Sequence, residues 1–561
     1  MSPTRDGLRS GEPRVARVDA VSESRPEEEA PATSGALVRS SAIIAVGTGL
    51  SRLTGMLRVV ALAAVLGGGG LADAYNLANV TPNIIYELLV GGVLSATLIP
   101  IFVQAWREGD DDGPSAIFST AVVALVAISV LAVLAAPWLA RIYGTRLAGS
   151  AAAAQRDLVV PFLHLVLPEI FLYGVVALTT AALNARRRFV AAAFAPVLNN
   201  LVLIVVLITL AARYDGPTAI AGDAAAKVIL GLGTTAGIAA MAGAQVFATA
   251  RTGIRLRWAP SLRHPAVRRV ARLSGWTLGY VAANQVALLI VLALANGSGP
   301  GSVTAYQNAF VYLQLPHGLV AVSVMTAFLP ELSEAYAARD KARFGQRFLH
   351  GGELMGVLVI PAAVALVVLA RPVVTFFLGH GSYSPVATAE AGRTLAAFAW
   401  GLPGFSLYLY ALRGFYARTD TRTPFLLNLG ENGLNVALAI PLASRGAPGL
   451  ALAYAIAYSV AGVGAAIALH RRVGGFGRET APTLRGLTGV AVSSVAMAVV
   501  LLGLRSLLPT GGSGAALATL AVAVPVGGAV YVAVAWGLGV YLVRNGVQAV
   551  AGRIGLRSAR R

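Results

Sequence analysis

Apolar stretches longer than about 18 residues recur between residues 41 and 543, and each can cross the roughly 30 Å hydrocarbon core of a bilayer as a helix. Lipid offers a backbone no water to bond, so only helices and closed barrels satisfy it there. These runs are too long and too little alternating for barrel strands. The chain is therefore expected to be an all-α polytopic membrane protein. The pattern places about fourteen helices, at 41–66, 74–106, 115–136, 158–183, 190–212, 224–249, 271–295, 303–337, 352–378, 391–417, 424–444, 448–469, 484–507 and 513–543. Composition agrees: 57% of residues are hydrophobic and 12% charged, about half the charge that a soluble domain carries. A soluble multi-domain protein is excluded.

The net charge is +19, from 44 basic and 25 acidic residues. In a soluble chain that excess suggests nucleic acid. In a membrane protein it marks cytoplasmic loops, and the positions favour that reading, so no nucleic-acid partner is expected. With the N-terminus inside, the inner connections carry Arg186–Arg188, Arg251, Arg255, Arg257, Arg263, Arg268, Arg269, Arg272, Arg339, Lys341, Arg343, Arg347, Arg418, Arg422, Arg471, Arg472 and Arg478. The outer ones hold Arg141, Arg146 and Arg156 together and then Arg213, Arg371, Arg445 and Arg505 singly. This alternation fits an even helix count with both termini cytoplasmic. Residues 1–36 are polar, with several prolines and the run Glu27–Glu29; they read as a disordered tail rather than a cleaved signal peptide. The absence of cysteine excludes disulfides and Cys-ligated metal.

Internal self-similarity organises the rest. Ala74-Tyr75-Asn76-Leu77-Ala78-Asn79 resembles Ala305-Tyr306-Gln307-Asn308-Ala309-Phe310 at an offset of 231, and Ala96–Pro100 resembles Thr326–Pro330 at 230. Asn184-Ala185-Arg186 before Pro196 resembles Tyr416-Ala417-Arg418 before Pro424, with the prolines 228 apart. A near-constant offset spanning an even number of helices predicts a parallel repeat with its axis along the membrane normal. The expected division is a first lobe over 37–250, a basic linker over 251–270, a second lobe over 271–470, two further helices over 484–543 and a basic tail over 544–561. Such repeats enclose a central site and alternate access to it.

Ionisable residues at membrane depth are costly and face a cavity or a partner. Arg52 and Arg58 lie in the first helix, Asp73 opens the second and Glu87 sits within it. A guanidinium grips phosphate oxygens bidentately; equally, Arg58 could snorkel or pair with Asp73 or Glu87. Asn428, Glu431 and Asn435 share one face of the eleventh helix, with Asn432 beside them and Asn284 in the seventh. Oxygens so arranged can hold a hard cation such as Na⁺, and amides so arranged can bond helix to helix. His164 and Glu169 read as a polar pair or a helix contact, and His317 as structural. Pro82, Pro316 and the pair Gly91-Gly92 are candidate bending points for gating. The chain has no phosphate loop, no HExxH and no catalytic serine elbow, so a transporter without nucleotide hydrolysis is expected rather than an enzyme.

These residues resemble the MviN/MurJ family of lipid II flippases, within the MOP transporter superfamily. Ser51-Arg52-Leu53-Thr54-Gly55-Met56-Leu57-Arg58 looks like its S-R-x-x-G-x-x-R signature, and Ala72-Asp73-Ala74-Tyr75 like its T-D-A-F segment. Gly414-Phe415-Tyr416-Ala417-Arg418-Thr419-Asp420 with Thr423-Pro424 resembles G-F-Y-[SA]-R-x-D-x-x-T-P. Over about residues 37–545, the resemblance implies fourteen helices in two lobes around a cationic cavity. It also implies lipid II as substrate, cell-wall synthesis proteins as partners and the bacterial inner membrane as location. It passes cavity roles to Arg52, Arg58 and Asp73. The chain departs from the family with Tyr86, Glu87 and Gly91 where many members place two arginines and a glutamate, and with Val311 and Gln314 where they place an arginine and a glutamate. This resembles the actinobacterial branch. The rival readings are another MOP exporter, of a lipid-linked glycan or a drug, a polytopic glycosyltransferase, and a regulatory scaffold.

Overall fold

The computed structural model describes residues 34–88, 98–254, 256–273, 275–478, 480–509 and 511–553, and every regular element among them is helical. Most of the segment read as an N-terminal tail lies outside them, as do Gly91 and Gly92. In chain order the first ten helices are α1 (Ser34–Leu66), α2 (Gly70–Tyr86), α3 (Ile99–Arg107), α4 (Asp112–Leu134), α5 (Ala136–Tyr143), α6 (Gly149–Val166), α7 (Glu169–Ala185), α8 (Phe189–Arg213), α9 (Gly216–Gly222) and α10 (Ala224–Ala250). There follow α11 (Pro265–Leu273), α12 (Gly275–Asn296), α13 (Ser302–Pro316), a π-helical turn (His317–Ala321), α14 (Val322–Ala337), α15 (Lys341–Leu378), α16 (Pro385–Trp400) and α17 (Leu402–Tyr416). The last five are α18 (Arg422–Leu442), α19 (Gly446–Val473), α20 (Thr480–Leu507), α21 (Gly512–Gly537) and α22 (Tyr541–Arg553).

Among the described residues eleven helical stretches are long and apolar enough to cross a membrane, or twelve if the pair α16 and α17, bent by 46°, counts as one. The fourteen expected are not reached, for two reasons. The run Arg422–Val473 counts once at 52 residues, although its helices α18 and α19 fold back on one another around Ala443–Arg445. The second span is interrupted between α2 and α3 by residues outside those described. Along α4 and α8 the outward side chains are Val126, Val130, Leu134, Val205 and Ile208, all exposed. A belt of exposed aliphatic residues is what lipid selects and water does not.

The helices sort by contact into two sets. From α1 to α10 each packs mainly on others of that range, chiefly α1 on α8, α8 on α10, α7 on α10 and α2 on α6. From α12 to α19 the main pairs are α17 with α19, α15 with α16, α18 with α19 and α12 with α18. Contacts between the sets are sparser and involve α2 with α13, α5 with α12, α1 with α15 and α2 with α12. The helices α20 and α21 lie against α15.

The motif at Gly414–Pro424 builds a turn. Gly414 admits the Leu469 side chain, where a Cβ would clash. Thr419 takes a left-handed φ of 58° as α17 ends. Asp420 then caps the start of α18, accepting from the Thr423 amide at 3.0 Å and the Thr423 hydroxyl at 2.7 Å. Arg472, at the end of α19, lies 3.5 Å from the same carboxylate.

Candidate functional site

The two helix sets are tied at one end by a single carboxylate. Asp73, in the first turn of α2, is 4% exposed. One of its oxygens accepts from the Gly301 amide at 2.6 Å, and the other from the Thr304 amide at 2.8 Å and the Thr304 hydroxyl at 2.7 Å. Gly301 and Thr304 open α13, so Asp73 places its charge where unpaired amides and the helix dipole attract an anion. Asn76 donates to the Thr304 hydroxyl at 3.0 Å. Hydrogen bonds to a charged group are each worth about 1.5–3 kcal/mol, which makes this cluster the strongest described link between the sets. Gly301 has a left-handed φ of 89°, and a Cβ there would collide with the Gly68 carbonyl; only glycine serves at this backbone-to-backbone approach.

Two further bonds close the same end. The Ser382 amide donates to the Ala64 carbonyl at 2.8 Å, and the Asn296 side chain to the Tyr143 carbonyl at 2.9 Å. The opposite end holds the connections 186–188, 338–340, 417–421 and 471–478. Its ion pairs, Arg343 with Glu334, Arg347 with Glu331 and Arg472 with Asp420, all stay within the second set.

Asp73 therefore differs from its expected role. The sequence points it at a substrate cavity, but both its oxygens are bonded to the other helix set. Arg52 is exposed and reaches across from α1, its guanidinium lying about 3.1 Å from where a side chain on Gly318 would begin. Arg58 is half-buried in the first set, in electrostatic reach of Tyr75, Glu169 and Tyr173, and its Nε has no hydrogen-bond partner. Glu87, half-buried, follows the last residue of α2. Among the described residues none of these four joins an ion pair, so pairing of Arg58 with Asp73 or Glu87 is not what the chain does here.

In the second set the asparagine face is assembled, with its members divided. The amides of Asn284 and Asn428 bond each other reciprocally at 3.3 and 3.2 Å, and Asn432 donates to Asn284 at 3.3 Å. Both oxygens of Glu431 and the side-chain oxygen of Asn435 are buried without a partner. A cavity of about 180 Å³ adjoins Asn435, lined also by Asn284, Asn432, Tyr306, Tyr454 and Tyr458. Among the described residues no three His, Cys, Asp or Glu side chains gather into a metal site; a cation here would rest on one carboxylate and amide oxygens.

The bending points separate as well. Pro82 is buried inside α2 and Pro316 ends α13 directly before the π-helical turn. His317 packs on Phe405 and its Nδ1 lies 3.0 Å from the Ser406 hydroxyl, a structural role. His164 and Glu169 do not meet: His164 is exposed with its ring nitrogen on the Val160 carbonyl, while Glu169 is fully buried beside Thr235. Sequence reasoning missed Thr304 and Gly301, although both border the repeated stretch around Tyr306.

A family model described as lipid II flippase MurJ matches residues 62–522. A probable lipid II flippase MurJ from Rhizobium meliloti (strain 1021) is 31% identical over 432 residues, covering 75% of this chain and 78% of its own. Among solved structures, lipid II flippase MurJ in an inward closed conformation superposes with a TM-score of 0.72 at 21% identity, over 90% of this chain and all of that one. An inward-facing multidrug-resistance MATE transporter of the MOP superfamily gives 0.61 at 13% identity, over 77% of this chain and 96% of its own. The chain is thus a multi-pass, all-helical membrane protein with the fold of this superfamily, and it belongs to the lipid II flippase MurJ family.

Proposed function

We propose that the protein is a flippase, not an enzyme, that carries lipid II, the undecaprenyl-diphosphate-linked peptidoglycan precursor, from the inner to the outer leaflet of the bacterial cytoplasmic membrane by alternating access. The observation that carries this reading is the asymmetry of the space between the helix sets. One end is tied through Asp73, while Arg52 stands exposed between the sets and Arg58 keeps an unused N–H. Free guanidinium groups in a low-dielectric space are suited to a diphosphate.

The tied end bears the few scattered arginines, and the other end bears most of the basic connections. The positive-inside rule then sets the tied end outside, both termini in the cytoplasm and the chamber facing inward. The two sets act as the lobes of a parallel repeat over 37–250 and 271–470, with Pro82 and the π-helical turn after Pro316 as the places where they bend. The missing helix-two and helix-eight charges leave Arg52 and Arg58 as the principal phosphate ligands.

The sequence carries no nucleotide-binding phosphate loop, and the drive is assigned to an ion gradient or the membrane potential; one charge crossing 100 mV supplies about 2.3 kcal/mol. The unpartnered oxygens of Glu431 and Asn435 fit a Na⁺ ion, with Asn284 and Asn428 holding the face in shape. Bound there, Na⁺ would supply positive charge to a buried carboxylate. The deciding experiment measures access of an external probe to lipid II in cells depleted of the protein. Accumulation on the inner face with blocked peptidoglycan synthesis is expected; normal outward appearance would end the proposal. Cell-wall synthesis proteins are natural partners for such a carrier, to be sought by crosslinking.

A further inference from the structure

Two buried carboxylates of the first helix set are treated in opposite ways. Asp73 accepts three bonds of 2.6–2.8 Å and behaves as an anion. Glu169, at the start of α7 after the helix break at Pro168, is 0% exposed, and its Oε2 has no partner. Its one hydrogen-bond contact among the described residues is the Thr235 hydroxyl of α10, 3.1 Å from Oε1.

A hydroxyl has a single proton to donate. Thr235 also lies 2.7 Å from the Leu165 carbonyl, which can only accept, so the shorter bond takes that proton. A carboxylate competing for it should win and should hold it at about 2.5–2.7 Å, the span of charge-assisted O–H···O⁻ bonds. The observed 3.1 Å runs against that. The contact becomes a hydrogen bond if Glu169 brings the proton and Thr235 offers its lone pair. Among the described residues no salt bridge reaches Glu169 either.

The charged and titratable groups that face Glu169 are few. They are Arg58 from α1, Tyr75 from α2 and Tyr173 on α7 itself, with Tyr86 of α2 packed on Tyr173. The charged residues of the other packed helices stand at helix ends: Arg107 on α3, Asp112 on α4, Arg213 on α8 and, two turns before Thr235, Lys227 on α10. On α6, Arg156, Asp157 and His164 are all exposed. Among the described residues Arg58 is thus the one cation in reach, and its Nε is buried and unpartnered.

We propose that Glu169 is a proton-binding site, carrying its proton on Oε1 toward the Thr235 hydroxyl, and that loss of this proton converts it into the counter-ion of Arg58. Glu169 and a phosphate then compete for one guanidinium, and the proton decides between them. This second half rests on the reading of Arg58 as a phosphate ligand; the first half does not.

The test has two arms. Infrared difference spectra between the purified protein and its Glu169→Gln variant at neutral pH should show one carboxylic-acid carbonyl band that disappears on raising the pH. The amide introduced by Glu169→Gln keeps a donor toward Thr235, so the variant should melt as the parent does, and a Glu169→Asp variant gives a second comparison. Absence of the band from both difference spectra overturns the site. In the second arm, binding of undecaprenyl diphosphate is followed over the same pH range in the parent, Glu169→Gln and Arg58→Ala proteins. The ratio of parent to Glu169→Gln affinity should fall about tenfold or more as the band disappears, since an opposite charge nearby is worth about one to three pKa units. A constant ratio overturns the coupling. Unchanged binding by Arg58→Ala, with the band intact, overturns the phosphate site and leaves the proton site standing.

Discussion

Three carboxylates, Asp73, Glu169 and Glu431, are buried at 4%, 0% and 2% exposure, and their surroundings differ. Among the described residues the first accepts three hydrogen bonds, the second one hydroxyl contact, and the third none. The sequence picked out all three as costly at membrane depth. It could not assign their partners, because Thr304 lies 231 residues from Asp73 and Thr235 lies 66 from Glu169. Arg52 and Arg58 were legible, since a cation in an apolar helix is conspicuous whatever surrounds it. Replacing either with Ala should abolish complementation of a depleted strain at normal membrane levels; full growth of both variants would remove them from the substrate site. Glu431→Gln tests the cation site. If Na⁺ rests there, exchange of NaCl for KCl lowers the melting temperature of the parent and leaves that of the variant unchanged; equal responses would remove the ion.

At the scale of elements, hydropathy located the spans better than their ends. The ninth helix was expected from 352, yet α15 starts at Lys341, eleven residues earlier. Its first turns carry Lys341, Arg343 and Arg347, and a helix does not stop where lipid does. The fourth was expected over 158–183; the helical stretch runs Gly149–Ala185 with a break after Val166, where Pro168 supplies no N–H. The Gly414–Pro424 motif was recognisable as a pattern before its work was visible, because a cap is seen only once the turn is built. Partial burial pushes the Asp420 carboxyl up, but the Thr423 hydroxyl and amide and the Arg472 guanidinium outweigh it and hold the group below the usual carboxylate range. The folded state thus binds this proton less readily than the unfolded chain. The stabilisation is complete above the unfolded value of about 3.9 and is lost as pH falls through the folded one. Asp420→Asn should therefore lower the melting temperature of detergent-solubilised protein at neutral pH, with the gap closing below about pH 4. A gap that widens with acid would contradict this.

For the whole molecule, the repeat offset set an expectation of which helices correspond and left their relative tilt open, since tilt depends on contacts at the far ends of the chain. The tie at Asp73 suggests a direct measurement. The chain has no cysteine, so an Ala64→Cys, Ser382→Cys pair reports closure of that end without background. Its crosslinking yield should be high in the parent and drop severalfold with Asp73→Ala, which removes bonds worth at least ~3 kcal/mol. An unchanged yield would show that Gly301 and its neighbours hold the end shut unaided.

The latch joins unlike things: an acid on α2 and, on α13, a threonine at the helix's bare amino end. An acid in place of that threonine would set two carboxylates against each other, and a threonine in place of the acid would leave the amino end without its anion. The pair therefore works in one sense only: α2 carries the key and α13 the keyhole.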